Sequence, residues 1–151
     1  LSQFMSIGEF AKEIEKMEDR YLFKAKRADN GEWVTGYYTK SIVNGSVFGY
    51  IRESIFGTDI KIMLNTLCQY TGLTDKNGQK ICENDVVRIG GHISEVNGIY
   101  KIIFDEINHC FALERSVLYR KSYFTFSCLN GFAEDCEVIG SIFDNPELLS
   151  E

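Results

Sequence analysis

The chain has very little proline, histidine and tryptophan: 1, 2 and 1 in 151 residues. Proline is almost absent while 13 Gly, 11 Phe and 8 Tyr are present, a composition that favours strands joined by tight turns. His92 and His109 belong to no His-Glu-x-x-His run. The five cysteines, Cys68, Cys82, Cys110, Cys128 and Cys136, include no Cys-x-x-Cys pair. The spacing of a zinc site is therefore missing. His109-Cys110 with Asp105 nearby can be written as a metal site, but no second close pair accompanies it. There is no Gly-x-Ser-x-Gly elbow and no phosphate-cradling Gly-rich loop followed by Lys-Ser/Thr, so the usual signs of a nucleophilic hydrolase or a nucleotide enzyme are missing. No apolar run approaches the roughly 20 residues of a membrane helix. The first residues do not read as a basic region, apolar core and cleavage site, so neither membrane insertion nor a signal peptide is expected. Odd, irregularly spaced cysteines suit thiols used as small buried hydrophobes in a reducing cytoplasm.

Acidic charge is in excess, and unevenly so. The net charge is −6, and residues 89–151 account for all of it with 4 Lys and Arg against 10 Asp and Glu. An acidic C-terminal part argues against broad contact with a phosphate backbone, which needs clustered cations. A small basic patch in the first half stays open: Lys24, Lys26 and Arg27, beside aromatic residues, are the candidates for nucleic-acid contact.

Ser6-Ile-Gly-Glu9 is a capping box. Ile7, Phe10, Ala11, Ile14 and Met17 then fall on one helical face, which predicts an amphipathic helix over residues 7–18. Tyr21, Phe23 and Ala25 have strand alternation, Asp29-Asn30-Gly31 is a hairpin turn, and Glu32 to Tyr38 is the return strand. Trp33 is expected to anchor the core of this lobe, with ligand stacking as the alternative. A second hairpin is expected from Ser41 to Tyr50 around Asn44-Gly45, and residues 51–65 read as irregular with a strand at the end.

The densest backbone chemistry lies between Gln69 and Arg88. Asp75-Lys76-Asn77-Gly78 is a turn in which Asp75 accepts from the chain ahead and Gly78 supplies positive φ. A second tight turn at Glu83-Asn84-Asp85 leads into the β-branched strand Val86 to Ile89. Glu83 and Asp85 could bind a divalent cation or act as acid and base; the better reading makes Asp85 a cap for its own turn. Gln69, Tyr70 and Thr71 are the polar or amphipathic residues of the preceding strand. They either line a binding groove or satisfy backbone groups at the joint between two lobes. Later strands are expected at Ile99 to Phe104, Cys110 to Leu113, Val117 to Tyr119 and Glu137 to Ile142, and Tyr123 to Leu129 reads as a strand with a helical turn as the alternative. Asn145-Pro146-Glu147-Leu148 reads as an N-cap and a short helical turn.

The run Gln69-Tyr-Thr-Gly-Leu-x-Asp-x-Asn-Gly, continuing to Asp85-Val-Val, resembles the signature of the YopX family, small proteins typical of bacteriophages and integrated prophages. Arg20 to Gly36 and the ending Glu137-Val-Ile-Gly-Ser-Ile-Phe-Asp-Asn-Pro-Glu-Leu-Leu149 are similar to the same family. The resemblance implies a phage or prophage protein working in the bacterial host cell, and it carries no established activity, catalytic residue or cofactor. In that family a Gly commonly stands where Asn84 stands, which implies a left-handed turn position. Because the quoted motifs begin near Asp19, residues 1–18 are expected to extend a YopX-like domain spanning residues 19–151.

These features predict a mainly β (α+β) protein. An N-terminal amphipathic helix precedes a β-hairpin lobe, and the C-terminal part is a small SH3-like or related β-barrel; the lobe boundary is expected at residues 65/66. The expected function is non-enzymatic: a protein-binding or regulatory accessory module, with nucleic-acid binding as the alternative and a metal-dependent enzyme behind both. Candidate binding residues are Gln69, Tyr70, Thr71 and Trp33, with Lys24, Lys26 and Arg27 for nucleic acid. No catalytic residue, metal site or cofactor is expected. The partner is expected to be a protein, and homo-oligomerisation stays open.

Overall fold

The computed structural model describes residues 4–54, 56–91, 96–115 and 131–150. Among the described residues it is mainly β, with one α-helix, and the chain divides into two compact units at Tyr70/Thr71, a few residues past the boundary expected from sequence.

In the first unit, α1 (Ile7–Asp19) starts at the anticipated capping box. The Glu9 amide donates to Ser6 Oγ at 3.2 Å, and Glu9 Oε2 accepts from the Ser6 amide at 2.8 Å, so two orphan donors of the first turn are satisfied. Strands β1 (Leu22–Lys26), β2 (Trp33–Val43), β3 (Ser46–Arg52) and β4 (Ile60–Ile62) follow, and β5 (Cys68–Thr74) begins in this unit. They form an antiparallel sheet in the order β4-β3-β2-β1-β5. The two expected strands over 32–43 are one continuous strand, because no turn residue interrupts the chain between Tyr38 and Ser41. Asn44 and Gly45 both have positive φ (50° and 79°) and close a two-residue turn of the primed kind. Ala25, Val34, Ile51 and Ile62 form the core, flanked by Phe23, Tyr38, Ile60, Leu64 and Leu67. A turn of 3-10 helix, Leu64–Thr66, follows β4. Its buried Thr66 hydroxyl accepts the Lys26 amide (2.8 Å) and donates to the Met63 carbonyl (2.7 Å), so a polar group sits at the core margin without loss.

In the second unit, β5 ends and turns into β6 (Lys80–Cys82). A four-stranded antiparallel sheet of order β10-β7-β8-β9 comprises β7 (Asp85–Ile89), β8 (Gly98–Asp105), β9 (Cys110–Glu114) and β10 (Cys136–Ser141). Val86 and Val87 are both fully buried, so β7 is covered on both faces there, while Arg88 further along it is exposed. The core consists of Ile81, Val87, Ile89, Tyr100, Ile102, Leu113, Ala133 and Cys136. Among the described residues this sheet is open, with β9 and β10 as its edges and no closure into a barrel. The strands expected at 117–119 and 123–129 lie outside the described residues. Pro146–Leu149 is a short 3-10 turn. Asn145 does not cap it as expected; its side chain turns back to the Ser141 amide instead, at 3.4 Å.

Candidate functional site

The turn at Asp75 is the most elaborated polar centre in the second unit. The Asp75 carboxylate is 5% exposed. Its Oδ1 accepts the Asn77 and Gln79 amides at 2.8 and 2.9 Å, and its Oδ2 accepts the Val138 amide of β10 at 2.9 Å. The Lys76 amide reaches the Cys136 carbonyl at 3.0 Å. One side chain thus shapes the hairpin and fastens it to the edge strand. Burial raises the Asp75 pKa, but the Val138, Gln79 and Asn77 amides and Lys76 together lower it more, and the group sits below the ordinary carboxylate range. Gly78 has φ of 79°, as the turn chemistry requires.

Asp85 follows the same logic. It is fully buried, and its Oδ2 accepts the Cys82 amide at 2.8 Å, three residues back. Asn84 takes the left-handed conformation (φ 65°), its amide donates to Ile102 and its carbonyl accepts from Ile142. Asp105, at the β8–β9 turn, accepts the Ile107 amide and the Asn108 side-chain and backbone amides. The Asn108 side chain is the largest cause of its lowered pKa. Each of these three carboxylates therefore organises a turn. No group of three or more His, Cys, Asp and Glu able to hold a metal occurs among the described residues. His92 lies outside them, and His109 is an exposed turn residue with φ of 54°.

The candidates Gln69, Tyr70 and Thr71 do not converge. Along β5 they alternate between faces: Gln69 is exposed, Tyr70 is buried and Thr71 is half-buried. The Thr71 hydroxyl donates to the Ile81 carbonyl (2.7 Å) and accepts the Leu73 amide (3.3 Å), so it serves the β5–β6 backbone and no groove.

Lys24, Lys26 and Trp33 are brought together. Trp33 lies opposite Lys26 in the β1–β2 ladder, and the ammonium groups of Lys24 and Lys26 stand 4.9 and 5.5 Å from its ring centroid. Such contacts contribute ~0.5–1 kcal/mol each when exposed. The tryptophan is half-buried outside the apolar core, which corrects the expectation that it anchors the lobe. The physical reason is register: Val34, paired with Ala25, faces the core, so its neighbour Trp33 must face away. Arg27 belongs elsewhere. It makes a two-pronged pair with Asp29 at 2.7 and 2.9 Å and lines an open cleft of about 470 Å³ with Asp59, Ile60 and Lys61.

Sequence reasoning passed over the exposed apolar residues of the strand tips. Ile7 is 90% and Phe10 59% exposed on α1, so these two side chains of the amphipathic stripe are not buried. The side chains of Ile14 and Met17 lie outside the described set. Ile42, Val43 and Val47 are exposed at the β2–β3 tip, and Phe104 and Ile107 at the β8–β9 turn. The signal was present in Ile42-Val43, an apolar pair next to a tight turn, where a buried strand end would place polar residues. No helix among the described residues is long and apolar enough to cross a membrane.

Two antiparallel sheets, turns held by buried carboxylates and exposed apolar or basic patches define a small, mainly β protein. The chain belongs to the YopX family: the profile described as YopX protein matches residues 9–150. The match takes in most of α1, whereas the motifs legible in the sequence begin near Asp19. Among curated proteins none matches. A solved structure, that of protein EF1440 from Enterococcus faecalis, is similar at 24% identity and a TM-score of 0.48, covering 84% of this chain and 96% of that one.

Proposed function

We propose that the chain is a non-enzymatic accessory protein of a phage or prophage, acting in the host cytoplasm by binding a protein partner. The observation that carries this reading is α1. Its first turn presents Ile7 and Phe10 to solvent, on a helix capped and amphipathic enough to lie in a groove. A helix of this length is marginal alone in water, so its apolar face calls for a partner. The engagement of Asp75, Asp85 and Asp105 by turn amides supports a structural role for the buried carboxylates over an acid–base one. Within the same reading the second unit is an SH3-like or related barrel; the β7–β8–β9 meander with β10 beside β7 supports that arrangement. Affinity capture from cells carrying the parent element tests the function. A partner retained by the wild-type chain, lost with Phe10→Glu, and bound again when purified would support it. Equal capture by both chains would overturn the role of α1.

Nucleic-acid binding is the second reading, favoured by Lys24 and Lys26 around Trp33. Fluorescence anisotropy with a single-stranded oligonucleotide decides it: salt-sensitive binding lost in Trp33→Ala supports this reading, and no binding at low salt removes it.

A further inference from the structure

Two exposed tips of this chain are complementary in charge and both apolar. The first is the end of the β2–β3 hairpin. The β1 ladder stops at Tyr37 and the β4 ladder at Gly49, so the hairpin beyond them is an arm paired only with itself. Ile42 and Val47 sit opposite each other on it, 67% and 49% exposed, with Val43 beside them. Lys40 is the only charged residue of the arm, Arg52 lying at its base in an ion pair with Asp59 at 2.8 Å. The Lys61 ammonium adds to this charge, 4.6 Å from the Phe48 ring centroid. The arm is therefore apolar and solely cationic.

The second tip is the β8–β9 turn. Ile107 is 89% and Phe104 43% exposed, and the Phe104 ring stands edge-on to Phe111. They border a cleft of about 240 Å³ whose lining includes Leu113, Asp105, Glu106 and Glu114 but no Lys or Arg. Lys101, opposite Glu114 in the ladder, is the only Lys or Arg from Gly98 to Glu114. This tip is apolar and predominantly acidic.

We propose that the arm of one copy docks into the β8–β9 cleft of a second copy, with Ile42 and Val47 against Phe104 and Ile107, and Lys40 facing Glu106. Charge selects this pairing. Arm against arm brings like cations together, and cleft against cleft brings carboxylates together, whereas arm against cleft removes apolar surface from water and pairs opposite charges. The contact joins unlike surfaces, so it closes reciprocally as a two-fold dimer, closes a larger ring or extends a chain of subunits. It uses neither α1 nor the Lys24–Trp33 face, and its failure would leave the proposed partner binding untouched.

Sedimentation of the full chain over a range of concentrations tests it, with far-UV circular dichroism confirming that each variant is folded. The wild-type chain should self-associate, as a reciprocal dimer or as larger species, and lose association between low salt and about 0.5 M NaCl. Ile42→Glu and Glu106→Lys, both at exposed positions, should each weaken self-association at least about tenfold. Ile42→Glu keeps an intact cleft and Glu106→Lys an intact arm, so an equimolar mixture should form a one-to-one complex and nothing larger. A wild-type chain that stays monomeric at high concentration would overturn the proposal. So would association that survives Glu106→Lys, or variants that fail to combine when mixed.

Discussion

Replacing Asp75 by Asn changes one atom's chemistry and nothing in shape, and the geometry says what that must do. The carboxylate accepts three backbone amides, two on Oδ1 from Asn77 and Gln79 and one on Oδ2 from Val138. An Asn that keeps its oxygen toward the turn points its NH₂ at the Val138 amide, donor against donor. Flipped, it loses the two turn bonds to keep the one to β10. The first arrangement is the cheaper. It removes one hydrogen bond to a charged acceptor and leaves a buried N–H without a partner, together a loss of about 2–4 kcal/mol. A loss of that size lowers the melting temperature of a chain of this length by about 4–16 °C. Acid should erase the difference. The folded Asp75 pKa lies below its ordinary value of 3.8, so its stabilisation is complete above that value and is lost as pH falls through the folded pKa. Thermal unfolding of both proteins at pH 7 and in steps down to about pH 3 measures this. Asp29 and Asp105 are also held low and make both proteins acid-labile, so the quantity to read is the difference between the two. Equal melting temperatures at pH 7, or a gap that does not narrow in acid, would refute the assignment.

The other predictions concern turns, close packing and thiols. Gly78→Val should destabilise by about 1 kcal/mol or more in urea unfolding: the added side chain has open space, so the cost is that of a β-branched residue at φ 79°. Asn84→Gly should be neutral or mildly stabilising in the same assay, because φ there is 65°. At Gly36 a Cβ would collide with the Arg52 backbone carbonyl, so Gly36→Ala should cost about 1–3 kcal/mol. Burial pushes the Cys136 thiol up to about 11, and it should resist alkylation at neutral pH in the folded protein and react on unfolding, as mass spectrometry would report.

Turn chemistry was the most legible part of the chain because it is local. Asp75, Gly78, Asn44-Gly45 and the Ser6–Glu9 box each act through backbone groups within a few residues, and each was found where the sequence put it. Facing was harder. Trp33 and Val34 are adjacent and both large, and only the register with β1 decides which of them enters the core. Thr71 shows the same limit from the other side, since its role depends on the carbonyl of Ile81, ten residues away across a hairpin. Asp75 joins both levels. Its contacts to Asn77 and Gln79 follow from the turn alone, while its contact to Val138 spans most of the unit and could not be read from any local pattern. A carboxylate that performs a local and a remote task with its two oxygens admits no substitute of the same size, because only an ionised carboxyl offers acceptors on both sides. The demand for Asp at this position is thus structural, set by one hairpin and one strand that must be held together, and it requires no chemistry at a substrate.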